Sequence, residues 1–185
     1  GRSECHVLPA EWRLLGWLER EGFPYDLYAE IQFHAGQLNL DDYRLLIIST
    51  HPEYWSKEMY YRLKTWVFDG GGKLMYLGGN GLNCAVEFSD DSTMTVRNSP
   101  HGGSSVDMEK IGKESRMDVY YESEANLLGV RCTISGLMTG APYRAVDASH
   151  WIFSGTGLQD GDTFGEACLH VRCWGGASGH KTDKM

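Results

Sequence analysis

Four consecutive residues, His51-Pro52-Glu53-Tyr54, gather an imidazole, a carboxylate and a phenol. Three groups that exchange protons, packed so closely on one loop, are readily aimed at a shared ligand. A second run, Gly78-Gly79-Asn80-Gly81, offers glycines that let a backbone approach a ligand closely and an asparagine amide for an oxyanion. It has the strand-turn-helix position of a nucleophile elbow, but Asn80 stands at the apex in place of Ser or Cys, which disfavours acyl-enzyme chemistry. The bland alternatives are a tight turn at Asn80, and a His-Pro-Glu-Tyr loop stiffened by Pro52 and anchored by Tyr54 and Trp55.

The elements on either side explain why these runs matter. Trp12, Leu15, Trp17 and Leu18 recur at near-helical spacing between charged residues, and Gly22 stands where a helix would stop, so an amphipathic helix opens the chain. Tyr25 to Tyr28 is predicted as a short extended piece. The run 43–50 has the continuous apolar character of a strand in a parallel sheet. Ser56 is placed to cap a helix through Asp69, with Met59, Leu63, Trp66 and Val67 inward and Gly70-Gly71-Gly72 at its end. Residues 73–77 form the next buried strand, which gives a strand-helix-strand unit. Both reactive runs then leave the carboxyl ends of parallel strands, where open α/β sheets bind ligands. From Glu87 onward short alternating runs such as 93–97 predict further strands and long loops, and 98–118 is polar and rich in Gly and Ser.

The chain has 185 residues, enough for one domain with its own core. Its 17 basic and 25 acidic residues give a net charge of −8, which opposes a phosphate backbone, so no nucleic-acid partner is expected. No apolar run approaches the roughly 20 residues of a membrane span. Five scattered cysteines lack any Cys-x-x-Cys or zinc spacing and read as those of a reducing cytoplasm. The expectation is a single α/β domain over 1–185, cut from a longer chain. Asp160-Gly161-Asp162 is read as a turn, not a calcium loop. Trp12, Trp17, Trp55, Trp66 and Trp151 are read as core, and His150, His170 and His180 as having no metal spacing.

Taken together, 50–56 and 71–81, a helix apart, closely resemble the C-terminal domain of the N,N-dimethylformamidase large (beta) subunit family. The likeness extends through Gly22-Phe23-Pro24-Tyr25-Asp26, His34, 128–130, 141–144, 150–153, 155–158 and 175–180. It implies a mostly parallel, flavodoxin-like sheet of the class I glutamine amidotransferase type, without the Cys nucleophile and with extra β-rich insertions in the second half. It further implies an enzyme hydrolysing the C–N bond of small N-substituted amides, a mononuclear Fe3+ held by two phenolates and a glutamate, a small partner subunit and a homo-oligomer. Phenolates and carboxylates suit ferric iron, and such a Lewis acid polarises an amide carbonyl and acidifies water. Carried over residue by residue, Tyr54 and Tyr25 are the phenolates and Glu124 the glutamate, with Glu114, Glu122 and Glu53 open alternatives. Glu53 or His51 would handle the proton, and Asn80 the carbonyl oxygen.

This chain also departs from the family pattern at Gln32-Phe33, at Asn83-Cys84 and at Lys181, where the family carries a glutamate. Those departures keep a second reading open, a non-catalytic binding or assembly domain of the same fold. A thiol enzyme using Cys84 is the remaining rival, with no His-Glu pair at supporting spacing.

Overall fold

The computed structural model describes residues 7–90, 92–96, 116–131 and 142–165. Expectations that rest on Glu114, His170, His180, Lys181 and most of 98–118 lie outside these residues.

Helix α1 (Val7–Arg20) forms as its periodicity predicts. It buries Leu18 but leaves Trp12 65% exposed and Trp17 exposed, so only one edge of the stripe reaches the core. The predicted extended piece at Tyr25 to Tyr28 joins no strand. A short helix α2 (Glu30–His34) follows, with Phe33 buried and the Gln32 side chain accepting from the Ala29 amide at 2.9 Å.

Strand β1 (Leu46–Thr50) leads to a three-residue strand β2 (Tyr54–Ser56) and then to helix α3 (Lys57–Phe68). Ser56 is the N-cap, its Oγ accepting from the Met59 amide. Met59, Tyr60, Leu63 and Trp66 are buried and form the centre of the core with Phe33, Leu38, Leu40, Ile48 and Trp55. Strand β3 (Leu74–Gly78) runs parallel to β1, from Leu46 opposite Leu74 to Thr50 opposite Gly78. The strand-helix-strand unit is therefore present, with β2 inserted before its helix.

The residues after β3 correct the expected strand-turn-helix. A turn leads into strand β4 (Cys84–Phe88), which pairs parallel with β2 and antiparallel with β5 (Met94–Val96). A nucleophile elbow needs a helix after its turn, so that geometry is not made here. Downstream, the expected run of strands gives way to two single-turn helices, α4 (Met117–Tyr120) and α5 (Ala125–Leu128). One hairpin joins β6 (Tyr143–Arg144) to β7 (Thr163–Phe164).

The result is a mixed α/β domain in which the described strands form three small sheets, with parallel pairs only in the first two. Of the five tryptophans assigned to the core, Trp55 and Trp66 are buried, whereas Trp12, Trp17 and Trp151 are exposed, Trp151 at 78%. Asp160 to Asp162 is the predicted turn. Gly161 adopts a φ of 92°, and the two aspartates accept backbone amides of Ala148 and Gln159. Among the described residues no helix is long and apolar enough to cross a membrane.

Candidate functional site

The carboxyl ends of β1 and β3 are laced together by their loops. Gly79 N–H donates to Thr50 O at 2.9 Å, Leu82 N–H to Pro52 O at 2.8 Å and Cys84 N–H to Glu53 O at 2.8 Å. The approach is close enough that a Cβ on Gly78 would lie 2.6 Å from the Thr50 carbonyl oxygen. A Cβ on Gly81 would lie 2.6 Å from the Tyr76 ring, whose hydroxyl accepts the Gly81 amide at 2.8 Å. Both glycines are required by contact with a neighbour.

Among the described residues, three other than glycine adopt positive φ, and all three fall here: Thr50 at 59°, Asn80 at 52° and Leu82 at 56°. Left-handed backbone costs a side-chain-bearing residue free energy, most of all a β-branched one such as Thr50. Its concentration in two facing loops marks the spot where the fold holds strain, a feature that clusters at ligand-binding and catalytic positions.

The ionisable groups converge on the same spot. His51 Nδ1 lies 3.4 Å from Glu53 Oε2, and the Cys84 thiol donates to Glu53 Oε1 at 3.6 Å. Tyr54, 39% exposed, stands beside them at the head of β2 and opposite Cys84 in the strand register. Partial burial, then the charges of Glu53 and Cys84, push the Tyr54 phenol above its ordinary value. Burial, followed by Glu53, pushes the Cys84 thiol up to about 12, against opposing effects of Arg116 and Asn83. At neutral pH Cys84 is a protonated, buried thiol, which works against a nucleophilic role.

The Glu53 carboxylate thus adds to the rise of both the Tyr54 phenol and the Cys84 thiol, an effect that a cation among them would counter. The phenol and carboxylate are donors that suit a hard ion, so in donor chemistry this cluster fits the ferric ion that the family resemblance implies. The other expected ligands have partners elsewhere. Tyr25 donates to Glu19 at 3.0 Å. Glu124 is 1% exposed, and burial pushes its carboxyl above the ordinary range while Arg131 and Arg116 draw it down and Asp118 adds to the rise. Glu122 receives Lys64 Nζ at 2.6 Å and Asn126 Nδ2 at 2.7 Å. Among the described residues no group of three or more His, Cys, Asp and Glu is arranged around a metal position, a set that does not include phenols.

Two participants carry no sequence signal. Glu11, on α1, accepts from Thr50 Oγ1 at 3.1 Å. Arg116 forms a bridge with Cys84 and donates to Asn83 Oδ1 at 3.3 Å, from across a long stretch of chain.

The acid–base groups lie on strained loops at the carboxyl ends of a parallel strand pair in a mixed α/β domain, the position at which open α/β sheets bind ligands. Comparison with known proteins narrows that class, because residues 2–185 match the family described as N,N-dimethylformamidase beta subunit-like, C-terminal, and the chain belongs to it. It is 35% identical over 88 residues to the N,N-dimethylformamidase beta subunit of Alcaligenes sp, covering 47% of this chain and 11% of that protein. With the N,N-dimethylformamidase beta subunit of Paracoccus aminophilus it shares 33% identity over 83 residues, 44% of this chain and 11% of that protein. These matches take in about a tenth of each relative's length.

Proposed function

We propose that this domain is part of a cytoplasmic amide hydrolase that cleaves the C–N bond of small N-substituted amides, and that the paired loops at 50–54 and 78–84 are its reaction centre. The observation that carries this reading is the convergence of strained Thr50, Asn80 and Leu82 with the His51–Glu53 pair in a chain of the dimethylformamidase family. The finer fold reading, a glutamine amidotransferase-like or flavodoxin-like arrangement, is supported by the parallel pairing of β1 with β3.

In this reading Tyr54 would contribute a phenolate to a ferric ion, with Glu53 beside it. Tyr25 and Glu124, the remaining ligands that the family resemblance implies, are engaged elsewhere, Tyr25 with Glu19 and Glu124 in a fully buried position. Bound iron would supply Lewis acidity, polarising the amide carbonyl and acidifying water. The chain's own groups do the rest. Glu53 takes the proton of the attacking water at its carboxylate, held from one side by the Cys84 thiol and facing His51 on the other. The water oxygen bonds to the carbonyl carbon, the proton taken by Glu53 passes across the 3.4 Å contact to His51, and as the C–N bond breaks His51 delivers it to the departing amine nitrogen. Asn80, on the facing loop, donates its amide to the carbonyl oxygen as charge develops there. A small partner subunit and a homo-oligomer belong to the same proposal, supported by the relatives being named as subunits.

The test is amine release from a panel of N-substituted formamides, with Glu53→Gln as the comparison. A loss of 100-fold or more, of the order seen for removal of a general base, is expected; an equally active Glu53→Gln protein overturns the assignment. The hydrogen bond of Tyr25 to Glu19 favours the second reading, a binding or assembly domain, and no amide turnover by the iron-loaded protein would select it.

A further inference from the structure

We infer that Glu11 is a positioning residue: from α1 it holds Thr50 in its left-handed conformation and so fixes the loop that carries His51 and Glu53. The carboxylate accepts the Thr50 hydroxyl at 3.1 Å in a partly buried setting, where a charged acceptor strengthens a hydrogen bond. Thr50 has φ 59°, a conformation that its branched Cβ resists.

The surrounding contacts show why this one residue matters. The Thr50 carbonyl accepts the Gly79 amide at 2.9 Å, and Gly78 crowds the same peptide so tightly that an added Cβ would meet the Thr50 oxygen at 2.6 Å and Pro52 Cδ at 3.2 Å. The β3 side therefore seats the carbonyl, and Glu11 seats the hydroxyl from the other direction. If Thr50 relaxes to negative φ, its peptide plane turns, the bond to Gly79 N–H is lost, and the next residue, His51, is redirected relative to Glu53. α1 thereby acts on the site through backbone geometry, not through contact with a substrate. The catalytic consequence of this role rests on the amide hydrolase reading, whereas the mechanical role stands apart from it and is tested apart from it.

Amide hydrogen exchange supplies the test. Gly79 N–H reports the Thr50 end of the strand pair, and Leu46 N–H, bonded to Lys73 O at 2.9 Å, reports the far end. Glu11→Ala is expected to lower protection of Gly79 by about tenfold, the loss of one hydrogen bond to a charged group, and to leave Leu46 unchanged. Glu11→Gln, which keeps an acceptor oxygen, should restore most of it. Thr50→Val, which keeps the branched Cβ and loses the hydroxyl, should match Glu11→Ala. Thr50→Gly loses the same contact but adopts positive φ freely, so it should stay close to wild type. Equal loss at Gly79 and Leu46 in Glu11→Ala would show general destabilisation and overturn the proposal. So would unchanged Gly79 protection, or a Thr50→Gly protein as loose as Thr50→Val. In a preparation active on amides, Glu11→Ala should lower kcat with little change in KM, and absence of activity would count against the hydrolase reading alone.

Discussion

At the paired strand ends, residues that bear side chains are held at positive φ, and burial together with the neighbouring Glu53 carboxylate raises a phenol and a thiol. Around Asp118 a carboxylate instead meets opposite charge: Arg131 Nη2 donates to it at 2.8 Å and Arg116 Nε lies 3.8 Å away, although Asp118 Oδ1 and Arg131 Nε are buried without a hydrogen-bond partner. The first region stores backbone strain at Thr50 and Leu82. The second spends its charges on holding α4 to the chain around it. In the proposed reading, unrelieved backbone strain is therefore a better guide to the site than the proximity of charged residues. Arg116 touches both regions, since it also donates to Asn83 beside Cys84.

The largest expected effect on stability lies in the region around Asp118. Asp118→Ala leaves two arginines without their carboxylate and should lower stability by about 2 kcal/mol, read as a lower denaturation midpoint. The iron-binding and amide-hydrolysing properties proposed for the strand ends should be affected much less. At the strand ends the balance reverses. Asn80→Gly, at a left-handed position that asparagine already tolerates, should leave stability within about 0.5 kcal/mol, while removal of the amide lowers turnover by about 100-fold. A destabilised, fully active Asn80→Gly protein would erase the contrast between the regions.

Glu124 supplies a subtler test through pH. Burial raises its folded-state value above the ordinary 4.5, so between the two values the native state binds more protons than the unfolded chain. Its favourable contribution is complete below 4.5 and declines as pH rises through the folded value. Glu124→Gln, neutral throughout, should flatten this part of the stability profile and be the more stable protein at neutral pH. A wild-type profile that rises through this range because of Glu124 would show that its arginine neighbours outweigh burial.

These contrasts also explain what could be read in the residues alone. Helix α3 was legible because a capping serine, an apolar stripe and a glycine stop agree. β1 and β3 were legible as strands because their apolar runs are bounded by turn residues, and the strand-end rule then pointed to His51, Glu53 and Asn80. The burial expected of β3 is not met, since Met75 and Leu77 on its other face are exposed. β2 was not, since three residues carry no period and the strand exists through its pairing with β4. The four-residue helices α4 and α5 are likewise too short for a periodic signal. Trp12 and Trp151 look like core by residue type, but their exposure depends on which faces meet neighbours. Within the site, nothing local marks Glu11 or a left-handed Thr50, because both are set by contact between α1 and the end of β1.

The most direct test of the strand-end site is a titration of the purified chain with ferric ion, followed in the visible spectrum beside Tyr54→Phe. The expected result is a phenolate-to-iron charge-transfer band at one equivalent, lost in the variant while its circular dichroism stays unchanged. A folded wild-type protein with no band, or a band of equal strength in Tyr54→Phe, would contradict the account.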